Sequence, residues 1–471
     1  MKSLLLPICL LVGLALVGVP ALPVAAQEEG LSSQEQRLLE LVESLERRVA
    51  ELEKKLGERE DEETAEPPPP PPAALEERVA EIEEQMEEAE SPTDMRVYWK
   101  EGLRFDSQDE QFKLRIGGRL MNDFAFGSQS SEVDDAVGKF EDGTEFRRAR
   151  LYISGDIYED FFFKTQFEFA GGDADLADAY LGMKGIPGVG TVLVGHMKEP
   201  FSLEGQTSSR YITFMERSLT TRFNAGRNTG LKVHNTALND RMTWAAGVFQ
   251  NTDSSGAQKA DGSIAFTGRV TGLPWYEDDG GRLVHLGLAY SHRDVDDTVR
   301  FRKRPGAHLS PRLVDTMEFG ADNVQLIGTE LAVVYDNWSL QSELLKSSVD
   351  ATAGGDPDFD SFYVQGSYFL TGEHRRYKKS SGAFDRVRPN RPFSLSGDRG
   401  PGAWEIAVRY AHVDLDDDTV RGGQLEDITL GVNWYLNPNM RIMWNYVHGE
   451  VDHDLYDGDT DILQTRFQVD F

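Results

Sequence analysis

The sequence predicts an all-β protein: a sixteen-stranded antiparallel transmembrane β-barrel with an N-terminal periplasmic coiled coil. Three observations predict it. From about residue 112 to the last residue, segments of nine to twelve residues alternate apolar and polar side chains, the period of a strand with lipid on one face and a polar lumen on the other. Sixteen such segments occur, an even number, as closure of an antiparallel bacterial barrel requires. The apolar face is rich in aromatics close to turns, with Trp244, Trp338, Trp404 and Trp434 placed for an interfacial girdle.

The chain begins differently. Lys2 precedes an apolar run from Leu4 to Val19, and Val24-Ala25-Ala26 offers small residues for cleavage. Residues 1–26 are expected to be a secretory signal peptide, too short and wrongly flanked for a membrane anchor. The one cysteine, Cys9, lies inside it, so the exported chain is expected to use neither disulfides nor thiolate chemistry. Residues 27–95 form a rod. Leu31, Leu38, Leu45 and Leu52 hold one seam position of a heptad, and Val42, Val49 and Leu56 hold the other, which predicts a coiled coil. A second seam is Leu75, Val79, Ile82 and Met86, and between the two stand six prolines, Pro67 to Pro72. Prolines cannot continue a helix and form a stiff polyproline II spacer. The rod carries 23 acids and 7 bases, a net of −16, which solvates it.

Residues 96–471 are expected to be the barrel. Its strands are placed near 112–126, 144–158, 160–170, 175–184, 190–199, 227–237, 241–250, 263–272, 283–293, 324–336, 337–347, 360–370, 402–413, 426–436, 439–449 and 461–471. If the first strand rises from the periplasm, Tyr158-Glu159-Asp160, Asp336-Asn337 and Asn437-Pro438 are short periplasmic turns, and the long acidic connections face outward. Asp414 to Asp418 and Asp452 to Asp461 are expected in such outer loops. Two connections stand apart: 371–401 is long yet periplasmic, and 200–226 is long but far less acidic than its siblings.

Against a net charge of −31, one stretch is strongly basic: Arg300-Phe301-Arg302-Lys303-Arg304-Pro305. In an extended backbone Arg300, Arg302 and Arg304 share a face. Guanidinium stays charged and grips oxyanions bidentately, so the expectation is a cationic track lining a pore, the alternative being a solvated patch on a loop. Arg148 and Arg150 share a face with Tyr152, opposite Leu151 and Ile153, and are expected to look into the lumen. Arg147 falls on the lipid parity near the rim, from where it could bend inward. The run Arg375-Arg376-Tyr377-Lys378-Lys379, with Arg386, Arg388 and Arg391, is expected to form a basic inner mouth or a solvated turn, and not a nucleic-acid site in an exported barrel.

In combination, several segments resemble the outer-membrane family of phosphate-selective porins O and P. They are Glu145-Phe-Arg-Arg-Ala-Arg, Lys198-Glu-Pro-Phe-Ser-Leu-Glu, Ile212-Thr-Phe-Met-Glu-Arg, the Arg300 stretch, Leu370-Thr-Gly-Glu, and the terminal Phe471, which resembles the signal read by the barrel-assembly machinery. The resemblance implies a homotrimer in the outer membrane of a Gram-negative bacterium. It also implies that the third and fifth outer loops and one long periplasmic turn, here 200–226, 294–323 and 371–401, fold into the lumen. Arg217, Arg222 and Arg227 are then candidate constriction residues with Lys198 just before them, and the ladder lines an outer funnel. Phosphate or other small anions are the expected cargo. The alternatives are a weakly selective diffusion porin of the same fold and an outer-membrane tether reaching the peptidoglycan through its coiled coil. No enzyme is expected, since Ser, His and Asp residues form no nucleophile motif. No cofactor or metal is expected either: the acid clusters fit no standard calcium loop, and Gly185-Ile-Pro-Gly-Val-Gly is followed by no helix.

Overall fold

The computed structural model describes residues 47, 48, 50, 51, 95–258, 263–396 and 400–471, the side chain of Arg222 excepted. Arg47, Arg48, Ala50 and Glu51 are helical. The signal peptide, the polyproline spacer, the second heptad seam and the rest of the first lie outside the described residues.

The sixteen barrel strands are β1 (Phe112–Gln129), β2 (Gly143–Ile157), β3 (Phe161–Glu168), β4 (Asp175–Ile186), β5 (Gly190–Lys198), β6 (Arg227–Ala237), β7 (Met242–Gln250), β8 (Ile264–Glu277), β9 (Arg282–Asp294), β10 (Phe319–Tyr335), β11 (Trp338–Ala351), β12 (Asp358–Phe369), β13 (Ala403–Asp417), β14 (Val420–Asn437), β15 (Met440–His453) and β16 (Tyr456–Asp470). Each pairs antiparallel with its sequence neighbours, and β16 pairs back to β1 from Thr460↔Gln129 to Asp470↔Arg119. The closed ladder therefore pairs the wall's backbone strand to strand apart from local bulges, as a membrane demands. Leu120, Leu181, Leu231, Leu288, Ile327, Leu344, Val408, Leu430 and Phe467 are exposed on the outer face. Their neighbours Arg119, Glu343, Arg409, Thr429 and Arg466 are buried toward the inside. Aromatics cluster at the rim of the short turns: Trp338 lies on Tyr368 at 4.5 Å, and Trp404 stacks on Trp434 at 5.1 Å and on Trp444 at 6.4 Å.

The elements depart from sequence expectation at three places. The acidic stretches 414–418 and 452–461 are largely strand, because β13 to β16 run on past the apolar belt and close in the tight turns Asp418-Thr419 and Asp454-Leu455. Alternation of charge is as compatible with a strand as with a loop once both faces meet water. The turn after β14 falls one residue later, at Pro438-Asn439. A hairpin absent from the expectation, Met95–Trp99 with Leu103–Ser107, precedes β1 and continues its lower end through Leu103↔Ile116 to Asp106↔Lys113. At that seam Phe471 exchanges backbone hydrogen bonds with Gly118 and stacks against Trp99. A Cβ on Gly118 would stand 2.9 Å from the Phe471 ring, so the close approach requires glycine there.

Three connections fold inward: 199–226, 295–318 and 370–402. The first is held by its backbone. Gln468, Arg441, Asn433, Arg466 and Arg409 on the wall donate to the carbonyls of Arg210, Ile212, Thr213, Met215 and Glu216 in turn. On the opposite wall, Glu343 accepts from the amides of Leu203 and Glu204 at 2.8 and 2.7 Å. The second presses Phe301 between Phe223 and Phe359 and Ala307 onto Ala125, Val447 and Ile462. The third, entering from the opposite rim, packs Tyr377 and Phe384 against Leu203, Leu283, Ala332 and Val334. Of the basic residues within it, Arg375 and Arg386 are buried and form neither mouth nor solvated turn, while Lys378, Arg388 and Arg391 are exposed. Arg375 is buried, donates to Gln341 at 2.8 Å and lies over Phe384 at 3.6 Å, and Arg386 pairs with Asp470 beside Tyr211. Of the run's first five residues, only Lys378 lines a cavity described below.

Arg466 ties wall to loop: it pairs bidentately with Asp123 at 2.7 and 2.6 Å and reaches Glu216 at 2.9 Å. Removing one partner from a buried ion pair leaves an uncompensated charge. Arg466→Met is expected to cost about 3–5 kcal/mol, read as a lower temperature at which the folded barrel converts to the unfolded band in detergent. It should also raise open-channel noise as the loop loosens.

Candidate functional site

The inward connections leave open space along the inner face of β1 to β6, as two cavities. The outer one, about 390 Å³, is lined by Arg302, Lys303, Arg304, Arg312 and His308 of the 295–318 connection, by Arg217 and Glu216 of the 199–226 connection, and by Arg147, Arg148, Lys198, Arg227 and Arg466 of the wall. Among the described residues, ten lysines and arginines face one carboxylate there, Glu216. The inner cavity, about 750 Å³, carries Arg119, Arg150, Lys164, Lys184, Arg210, Lys232 and Lys378 beside the carboxylates Asp156 and Asp178. Six residues line both: Arg148, Lys198, Gln206, Ser209, Arg217 and Arg227. The passage between the cavities therefore runs among four cations and two neutral polar side chains, with no carboxylate among the shared residues.

Two kinds of partner hold these cations. Arg227 donates to Asp178 at 2.9 Å, and Asp178 also takes Lys164 at 2.5 Å. Glu168 takes Arg150 at 2.6 Å and lies 3.6 Å from Arg148. Lys198 and Arg217 are held instead by carbonyls. Lys198 Nζ donates to Gly205 O at 2.6 Å, and Arg217 donates to Glu204 O at 2.9 Å and to Thr207 O at 2.8 Å. A carbonyl orients a cation without placing a countercharge beside it.

The basic stretch is placed differently from a simple ladder. Only Arg302-Lys303 is strand, paired with Val314-Asp315, so strict alternation is not kept. Arg300 turns away and pairs bidentately with Asp315 at 2.7 and 2.5 Å, outside the lining of both cavities. Arg302, Lys303 and Arg304 all line the outer cavity, and among the described residues no carboxylate pairs with them. Burial lowers the guanidiniums of Arg304 and Arg312 from their usual range, and repulsion from neighbouring arginines adds to it. Burial pulls Lys303 down to about 8 against the opposing attraction of Glu204 and Glu216. Burial alone would raise Glu216, but Arg147 and Arg466 outweigh it and hold the carboxyl well below the usual range. His308 bonds Glu145 at 2.8 Å.

Arg148, Arg217, Arg227 and Lys198 line both cavities, and Arg150 lines the inner one. The Arg222 side chain lies outside the described groups. Arg147 reaches the lumen because the β1–β2 register slips between Met121 and Asn122. That bulge leaves Arg147 unpaired in the ladder and turns it toward Glu216, which it grips at 2.8 Å through both nitrogens. Lys164 and Lys232 were not singled out, although parity could have found them: Lys164 alternates with the outward Phe161 and Phe167. Lys303 and Arg312 had no such signal.

The described residues thus set two adjoining cationic cavities inside a closed barrel. Comparison with known proteins gives the family. Residues 114–471 match the family model described as phosphate-selective porin O and P. Porin O of Pseudomonas aeruginosa is 28% identical over 424 residues, covering 80% of this chain and 93% of its own. An uncharacterized protein of Caulobacter vibrioides is 29% identical over 408 residues, covering 81% of this chain and 78% of its own. In fold the chain is similar to the anion-selective porin from Comamonas acidovorans, with a TM-score of 0.50 at 14% identity, over 76% of this chain and 100% of the other.

Because Lys303 is charged below about 8 and neutral above, anion selectivity should fall as pH rises from about 7 to about 9. The reversal potential in a potassium chloride gradient reports it. Lys303→Arg should lessen that fall, since guanidinium stays protonated throughout.

Proposed function

We propose an anion pathway through a chain that belongs to the phosphate-selective porin O and P family and is, on that footing, an anion-selective outer-membrane porin. An anion enters the outer cavity among Arg302, Lys303 and Arg304, passes between Arg148, Lys198, Arg217 and Arg227, and leaves through the inner cavity past Arg119, Arg150, Lys164 and Lys232. The single observation that carries this reading is the passage common to both cavities, lined by four cations and no carboxylate.

A channel must attract its ion and release it, and successive sites of graded strength do both. The grading here follows from the partners. Cations shared with Glu168 and Asp178 attract weakly. Those held by carbonyls attract more strongly. The ion leaving water has its hydration replaced at each step by N–H donors, which for phosphate are best supplied bidentately by arginine. Phosphate is the cargo we propose, with chloride and other small anions passing by the same route. The chain is a channel and not an enzyme.

We further propose that three copies assemble in the membrane, and that residues 27–95 form a coiled-coil rod in the periplasm. The rod's heptads, its proline spacer and its acidity support this. Deleting residues 27–95 is expected to leave folded, conducting channels with unchanged ion selectivity, because the rod shares no alternation with the barrel. Loss of conductance after membrane insertion would show that the rod belongs to the pore.

Single-channel conductance in chloride, with phosphate titrated in, tests the pathway. Arg302→Ala with Arg304→Ala should weaken phosphate block about tenfold or more, as each charge-assisted hydrogen bond contributes roughly 1.5–3 kcal/mol before discounting for a wet lumen. Arg300→Ala should leave the block within about twofold, since Asp315 already occupies that guanidinium. A parent-like block in the double variant, or a large loss in Arg300→Ala, contradicts the assignment.

A further inference from the structure

The outer wall carries a groove unrelated to conduction. It runs along β8 near the short-turn rim, with a volume of about 630 Å³, and is lined by Leu238, Met242, Val270, Gly272, Leu286 and Leu288, with Arg241 at one end. Val270, Leu286 and Leu288 are among the exposed apolar residues of the lipid face. The floor is glycine. Gly272 stands between Met242 on β7 and Leu286 on β9, and a Cβ built on it would meet nothing within 4 Å. Four residues earlier on the same face, a Cβ on Gly268 would meet only Ala245 O at 3.8 Å. Beyond Gly272 the strand bulges at Leu273-Pro274 before pairing resumes at Trp275. Pro274 removes a ladder donor there, and the bulge re-aims the strand.

Strand glycines often mark a close approach by something outside the strand, and on this face of a membrane barrel the surrounding medium is lipid. Arg241 sets the chemistry of the end. It sits in the turn after β6, on the rim that carries the short periplasmic turns. Its Nη2 donates to the backbone carbonyl of Tyr276 at 3.1 Å, and among the described residues no carboxylate pairs with it. Leu238, in the same turn, is 74% exposed, as befits a side chain lying in the interface. The site is a shallow apolar depression with a guanidinium at the short-turn rim.

We propose that this groove binds one acyl chain of a glycerophospholipid from the inner leaflet, with the phosphodiester held by Arg241. The two parts of the site match the two parts of that ligand. The apolar walls accept a chain, and the planar fork donates to two phosphate oxygens. A second copy of the protein would need a slender apolar ridge ending in an anion to fill the same space.

The test is native mass spectrometry of the full chain purified in mild detergent, with palmitoyl-oleoyl phosphatidylglycerol added. One lipid per chain should survive activation that strips the remainder. Arg241→Gln should lower that retention about tenfold, the loss expected for a charge-assisted contact. Gly272→Leu, which fills the floor without a clash, should lower it similarly. Both variants should conduct chloride as the parent does, which confirms that they are folded. Equal retention in the parent and both variants overturns the proposal. So does a Gly272→Leu variant that dissociates into single chains with its lipid retained, since the groove would then be a contact between copies. If Gly272→Leu does not insert, the outcome for Arg241→Gln decides.

Discussion

The pore depends on the hydrogen bonds by which the barrel wall holds the backbone of an inward-folded loop. Arg409, Arg441 and Arg466 are almost wholly buried, and each gives donors to carbonyls of residues 212–216. A guanidinium out of water is costly unless its donors are met. Loop carbonyls lacking a regular secondary-structure partner carry the matching deficit. Each satisfies the other. Because the carbonyls face this wall, the loop presents Arg217 and Glu216 to the space on its other side. Wall arginines of β13 and β15 are consequently structural, Arg466 of β16 both holds the loop and lines the outer cavity, and the arginines of β2 and β6 remain beside the passage.

Fixing the loop also fixes the electrostatics. Three carboxylates, Glu168, Asp178 and Glu216, each serve two cations. Shared in this way, they stiffen the lining while cancelling only part of its charge. The chain as a whole is strongly acidic, with a net charge of −31, and much of that acid lies in the rod and the extended strand ends. At physiological ionic strength exposed charges are screened over roughly 8 Å. An ion inside the lumen feels the arginines touching it far more than acids at the rim. Low-dielectric walls strengthen that local field further, so global charge and pore charge carry opposite signs without conflict.

The rest of the lumen is packed as a protein interior. Phe301, Phe223 and Phe359 make one core, and Tyr377, Phe384 and Leu203 make another where the loop meets the long turn from the opposite rim. Beside the second, Arg269 grips Glu330 at 2.8 and 2.7 Å while Glu330 also accepts from His285 at 3.0 Å. That packing leaves the cationic cavities along the inner face of β1 to β6, where Lys164, Lys232 and Arg150 already line the wall.

The sequence by itself determined the strands and their two faces. A side-chain period of two, set between media of opposite polarity, leaves little freedom of register. The same parity was enough to turn Arg148 and Arg150 inward. Tertiary structure decided what each cation does there, because its partners are remote in sequence. Arg466 meets Asp123 across 343 positions and Glu216 across 250. A one-residue bulge delivered Arg147, and a strand only two residues long removed Arg300 from the track while admitting Lys303. Alternation reports which medium a side chain faces. Whether a buried guanidinium holds a carbonyl, a carboxylate or a passing ion depends on which chain segment packs against it, and only the folded barrel sets that.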